Sequence, residues 1–211
     1  MKFHLDGLGK NQISVLKQTG STLRKNGYYL AGGTALAIHF GHRLSVDLDW
    51  FTSNDMGDAL TLAQKLRKAG VDFKTDQTAS GTLHGSIAKV RVSFLEFHYP
   101  LLKPLLHWEE MDCSLASLED LACMKLSAIA QRGARKDFCD ILVLGLEKFS
   151  LKEMLSMYQK KFKVRDVGHV LYGLVYFDDA ENERMPKMLW DVSWAEAKKI
   201  IQGWVKQIKT G

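Results

Sequence analysis

The chain has 211 residues, 46% hydrophobic and 25% charged, which is enough apolar material for a sizeable core and argues against a disordered polymer. Its 29 Lys and Arg against 24 Asp and Glu give a net charge of +5, which favours polyanionic partners without demanding them. No apolar run approaches the roughly 20 residues of a membrane span, MKFHLDGLGKNQ lacks a signal peptide's apolar stretch, and Cys113, Cys123 and Cys139 show no CxxC spacing, so a cytoplasmic location without membrane association, disulfide framework or cysteine zinc site is expected.

Residues 10–25 carry Ile13, Leu16 and Leu23 at helical spacing and stop at Asn26-Gly27. Residues 28–31 read as a short strand ended by Gly32-Gly33. A compact helix over 34–40 follows, with Thr34 able to cap it and Gly41 able to end it in the left-handed conformation. Residues 46–51 form the next strand, whose alternation places Asp47 and Asp49 on one face and Val46, Leu48 and Trp50 on the other. An amphipathic helix over 56–69, a strand in VDFKT, a turn in SGTLHGS and a long strand over 87–99 come next. Beyond residue 115 helical periodicity dominates, over 118–131, 136–147, 151–161, 166–177 and 194–208. The expected fold is α+β, with a small mixed sheet flanked by helices in residues 1–115 and a helical region in 116–211.

The chemistry concentrates in residues 32–51, GGTALAIHFGHRLSVDLDWF. Two carboxylates at i and i+2 of a strand point the same way and can grip hard divalent cations, Mg²⁺ or Mn²⁺, of the kind phosphoryl transfer uses. Without a Cβ at Gly32 or Gly33, backbone amides can approach a phosphate closely, and the helix that follows offers its positive end and the Thr34 hydroxyl. Either feature alone is weak, since DxD is common on exposed strands and Gly-Gly is usually only a turn; their order within about 24 residues joins them.

GGTALA followed by HRLSVDLDWF resembles the AbiEii/AbiGii toxin family of the nucleotidyltransferase superfamily that includes DNA polymerase beta. SLEDLACMKLSAIAQRGARKDFCDIL is similar to that family's second block, and FDDAENERMPKML with the following tryptophan to its tail. The resemblance implies a metal-dependent nucleotidyltransferase with an NTP substrate, acting as the toxin of a toxin–antitoxin or abortive-infection pair with a separately encoded antitoxin. It implies phosphate binding by Gly32, Gly33 and Thr34, contact from the basic-polar turn of Arg43 and Ser45, and metal binding by Asp47 and Asp49. Lys125, Lys136, Asp137 and Asp140 match the second block and would contribute to nucleotide handling or activity. The acceptor would be an RNA end such as tRNA, or a protein.

One position departs from the superfamily pattern. A third carboxylate is usual on a neighbouring strand, where KVRVSFLEF has Ser93. Three options stay open: Glu96 re-aimed by a bulge, Asp137 or Asp140 as substitute, or a site with two carboxylates. The departure sustains a second reading, a non-catalytic nucleotide- or nucleic-acid-binding module; a small-molecule nucleotidyltransferase is a third. On spacing alone Lys136, Asp137 and Asp140 read equally well as solvated helix charges, whereas Lys125, between two apolar runs, must either snorkel out or reach an anion. His39 and His42 read as packing or exposed residues, and Trp190, Trp194 and Trp204 as helix-packing ones.

Overall fold

A computed structural model describes residues 3–210. Helix α1 (Lys10–Lys25) buries Val15, Leu16 and Leu23 and ends at Asn26. The chain then crosses β1 (Tyr29–Leu30), α2 (Gly32–Phe40), β2 (Asp47–Thr52), α3 (Ala59–Lys68), β3 (Phe73–Ala79), β4 (Thr82–Ile87) and β5 (Val90–Glu96). Two short strands, β6 (Leu106–Trp108) and β7 (Cys113–Leu115), lead into α4 (Leu118–Arg132), α5 (Arg135–Glu147), α6 (Leu151–Phe162), α7 (Gly168–Gly173), α8 (Asp178–Glu181) and α9 (Trp194–Thr210). Among the described residues the strands form one mixed sheet in the order β3-β4-β5-β2-β1-β7-β6, with β2 parallel to β5 and β1 parallel to β7.

The α+β reading holds, with a helix-flanked mixed sheet. One sheet face packs on α1 and α3 through Leu16, Leu23, Leu48, Trp50, Leu66, Leu83 and Phe94. A second core joins Tyr29, Ala31, Ala35 and Leu36 to Leu121, Leu126, Phe138, Ile141, Met154 and Ile201 of the later helices. Between these cores the β2 and β5 residues opposite Leu48 and Trp50 face an open cleft. Period-two alternation therefore does two jobs here: one set of side chains is core, and the other is available for chemistry.

Four local expectations fail, three of them for identifiable reasons. Helix α2 begins at Gly32 with Ala31 at its N-cap, so the Gly-Gly pair lies inside the first turn and Thr34 does not cap it. SGTLHGS is not one turn: only Ser80-Gly81 connects strands, and Thr82–Ile87 is β4. Gly85 disguised it, being a strand glycine over which Phe73 lies, since a Cβ there would stand 2.4 Å from Phe73 Cζ. The long strand over 87–99 is broken by Ala88 and Lys89, both at positive φ without glycine or asparagine to announce the turn. The expected helix over 166–177 shrinks to Gly168–Gly173, and α8 follows separately.

Candidate active site

The parallel register of β2 and β5 sets Asp47 beside Arg91 and Asp49 beside Ser93 on the open face. Arg91 grips Asp47 through two hydrogen bonds, Nε at 2.8 Å and Nη2 at 3.1 Å. Gly32, at φ +66°, lies directly over Asp49: a Cβ there would come 3.0 Å from Asp49 Oδ2. Backbone of α2 and carboxylate of β2 thus meet at the first turn of the helix, which its own partial positive charge favours. Burial raises the Asp49 pKa; a Ser93 hydrogen bond opposes that, Asp47 adds to it, and Lys125 and Lys136 pull it back.

Behind this pair lies a charged layer drawn from two distant stretches of chain. Asp140, fully buried on α5, accepts from Arg43 Nε at 2.7 Å and Nη2 at 2.9 Å, and from His42 Nε2 at 2.8 Å. Lys125 Nζ on α4 pairs with Asp140 Oδ2 at 2.6 Å and donates to Asp137 Oδ1 at 2.7 Å. Arg132 completes the chain with Nε 2.9 Å from Asp137 Oδ2. Burial pushes the Asp140 carboxyl upward, but Arg43 and Lys125 outweigh it and hold it well below the usual carboxylate range. Asp137 behaves likewise: burial raises its pKa, and Lys125 and Arg132 bring it below its ordinary value.

The open face and this layer enclose a cleft of about 770 Å³. Its floor changes character along the strands, from Asp47, Asp49, Arg91 and Ser93 to Phe51, Leu95 and Phe97, with Met124 across from them. Lys125, Arg132 and Lys136 face the charged end. A smaller hollow of about 270 Å³ continues toward β3 and β4, lined by Asp47, Asp49, Asp76, His84, Arg91 and Ser93. A phosphate chain suits the charged end and a planar base the aromatic end.

The residues singled out from sequence separate into two groups. Gly32, Gly33, Arg43, Ser45, Asp47, Asp49, Lys125 and Lys136 all line the cleft. Thr34 does not: it is buried, and its hydroxyl bonds Ser45 Oγ at 2.7 Å and donates to the Asp47 carbonyl, so it fixes α2 to the start of β2 and has no hydrogen left for a phosphate. Arg43 is engaged with Asp140 beneath Gly33. Asp137 and Asp140 are buried, each saturated by cations, and so are unsuited to complete a metal site. Glu96 pairs with Thr52, three residues beyond the Asp49–Ser93 pair, and accepts from Met56 N at 2.6 Å on the other side of the sheet. The bulge that would have re-aimed it is absent: β5 runs in unbroken register with β2.

Sequence reading passed over Arg91, His84 and Arg132, and read His42 only as a packing or exposed residue. Arg91 had a signal, since it stands two residues before Ser93 on the same strand face. His42 had none; its partner Asp140 lies 98 residues away.

Asp47 and Asp49 fit a hard divalent cation. Asp49 is a desolvated carboxylate short of positive charge, and Arg91, 75% exposed, can turn away from Asp47 at little cost. Among the described residues no three His, Cys, Asp or Glu side chains form a cage. A cation here would draw its other oxygen ligands from water and phosphate, as Mg²⁺ commonly does.

Gly33 supplies a local test. A Cβ at this position would stand 2.2 Å from Arg43 Nη2, which Asp140 holds in place. Gly33→Ala should cost about 1–3 kcal/mol by overpacking, measured by urea unfolding; an unchanged midpoint would show that Arg43 is free to move.

The family model for the nucleotidyl transferase AbiEii toxin of type IV toxin–antitoxin systems matches residues 20–199, which takes in the glycine turn, the aspartate strand and the charged layer. The chain belongs to the AbiEii toxin family. The protein aq_aa25 of Aquifex aeolicus is 34% identical over 205 residues, covering 95% of this chain and 97% of that one. In fold, this AbiEii chain is similar to the nucleotidyltransferase toxin MenT4 of Mycobacterium tuberculosis (TM-score 0.62, 12% identity, 93% of this chain and 82% of that one). JHP933 of Helicobacter pylori gives a TM-score of 0.54 at 16% identity, over 96% and 95% of the two chains. The AbiEii tail has a visible place in the site: Leu44 N donates to Lys187 O, and Leu189 N to His42 O, so residues 187–189 strap the basic turn.

Proposed function

We propose that this AbiEii chain transfers a nucleoside monophosphate from an NTP to an acceptor hydroxyl. The observation that carries the reading is the pairing, across one cleft, of two same-face carboxylates with the Gly32-Gly33 turn and with Lys125, Arg132 and Lys136. On this reading Asp47 and Asp49 hold Mg²⁺ or Mn²⁺, which when bound supplies charge neutralisation at the phosphates. Gly32 and Gly33 present backbone N–H groups to the same phosphates, Lys136 and Arg132 offset their negative charge, and the Phe51 and Phe97 end receives the base.

Residues 1–115 would act as the catalytic core and 116–211 as the helical region that closes the cleft. The favoured acceptor is an RNA end such as tRNA, which the net charge of +5 would attract, in the cytoplasm, with a separately encoded antitoxin as partner. No helix among the described residues is long and apolar enough to cross a membrane.

The full chain, incubated with Mg²⁺, each α-labelled NTP in turn and total tRNA, is expected to label RNA from at least one nucleotide and to stop when EDTA is added. Saturable nucleotide binding without transfer to RNA or protein would favour instead a non-catalytic binding module. Ser93 beside Asp49, where a third carboxylate would stand, is the observation that recommends that second reading.

A further inference from the structure

We propose that His84 is the base that takes the proton from the attacking hydroxyl, an assignment that rests on the nucleotidyl-transfer reading above. Three strands bring the parts together. The register pairs Asp49 of β2 with Ser93 of β5, and Ser93 with His84 of β4. Adjacent strands stand about 4.8 Å apart, so these side chains form one row across the open face. His84 lines both the main cleft and the hollow that extends it, on the side away from Lys125 and Arg132. An acceptor entering through that hollow passes between His84 and the two aspartates.

Hydrogen bonding sets which imidazole nitrogen is basic. Ser93 bonds the Asp49 carboxylate, which when ionised can only accept, so the Ser93 hydrogen is committed to Asp49. His84 Nδ1 lies 3.1 Å from Ser93 Oγ. With its hydrogen spent, that oxygen must accept, and Nδ1 must carry the proton. Nε2 is then the bare nitrogen, and it makes no hydrogen bond among the described residues. Ser93, standing where a third carboxylate would otherwise be found, thus relays the charge of Asp49 to a base one strand further out.

The neighbours suit that role. Asp47 and Asp49 from β2, Asp76 from β3 and Arg91 from β5, itself paired with Asp47, share the hollow with His84, and Gln77 of β3 sits opposite it in register. Imidazole is the side-chain base whose ordinary pKa lies nearest neutrality, which is where a general base works best. In the step itself the acceptor oxygen forms a bond to the α-phosphorus as its proton passes to Nε2. The bond from that phosphorus to the β-bridging oxygen breaks, and pyrophosphate leaves with the electron pair.

Two measurements test this. Nitrogen-15 NMR of the free full chain should show His84 as the Nδ1–H tautomer, with the signal assigned by its loss in His84→Asn and shifted toward Nε2–H in Ser93→Ala. A dominant Nε2–H form in the unmodified chain overturns the assignment whatever the activity. In the labelled-transfer assay His84→Asn keeps an amide N–H for Ser93 Oγ and has no base. It should lower kcat about 10²–10⁴-fold and remove the acid limb of the pH profile, with KM for the nucleotide changed by no more than about twofold. Undiminished transfer with an unchanged profile refutes the role of His84 and leaves the transfer reading standing, whereas a wild-type chain inactive with every nucleotide and acceptor refutes both.

Discussion

Replacing Asp140 with asparagine is expected to lower stability by about 3–5 kcal/mol, because removing one partner of a buried ion pair strands the charges left behind. Those charges are Arg43 and Lys125, both buried, and His42 is left without its anion. An asparagine oxygen could satisfy one of these donors, but its amide would face another. The loss should show as a lower urea midpoint with the slope unchanged. Replacing Arg43 and Asp140 together by apolar residues should recover part of it, since desolvating both charges was itself costly.

The pH dependence has a definite sign. The folded-state pKa values of Asp140 and Asp137 lie below their ordinary values: burial raises them, and the cations around them more than reverse that. A depressed carboxylate pKa contributes stability that is present above the unfolded value, about 3.9, and lost as pH falls through the lower folded one. Wild-type thermal midpoints should therefore fall below about pH 4, and the fall should be shallower in Asp140→Asn. An unfolding free energy for Asp140→Asn within about 1 kcal/mol of wild type at neutral pH would mean that the layer is not held together by its charges.

This layer is also what sequence made hardest to see. The Gly-Gly turn and the Asp47–Asp49 strand were legible because their parts lie close in the chain and alternation alone assigns their faces. Asp137 and Asp140 sit three residues apart on one helix, a spacing that serves a solvated stripe as well as a buried one. Only the arrival of Arg43 and His42, 97 and 98 residues away, decides between them. Lys125 was half legible, since its apolar flanks left it either to snorkel out or to reach an anion, and the fold supplied two anions. His84 was hidden for a different reason: Gly81 and Gly85 made a strand look like a turn, and a histidine in a turn has no cross-strand neighbours to argue from. Alternation had already set Glu96 on the core side of β5, and the regular β2–β5 register keeps it there.

Asp49→Asn is expected to separate stability from activity. Losing a ligand that neutralises phosphate charge removes several kcal/mol from transition-state binding, so transfer should fall by about 10³-fold or more. Stability should move the other way. The Asp49 pKa is raised, chiefly by burial and further by Asp47. A raised carboxylate pKa means that stability is fully present below the unfolded value and declines as pH rises through the folded one, so the ionised group weighs on the fold at neutral pH. Asparagine carries no charge to desolvate and can still bond Ser93. Without added metal, the variant should melt at or above the wild-type temperature at neutral pH, and its advantage should shrink as pH falls toward the ordinary carboxylate range. Adding Mg²⁺ should invert the order, because a ligand that binds only the folded state raises the midpoint of the protein that binds it. The two readouts test different claims: equal Mg²⁺ stabilisation of both proteins would remove Asp49 from the metal site, and transfer within about tenfold of wild type would remove it from the chemistry. A lower melting temperature in metal-free buffer would show instead that the carboxylate is already compensated by Lys125 and Lys136, and that the field from the charged layer reaches across the cleft more strongly than burial opposes it.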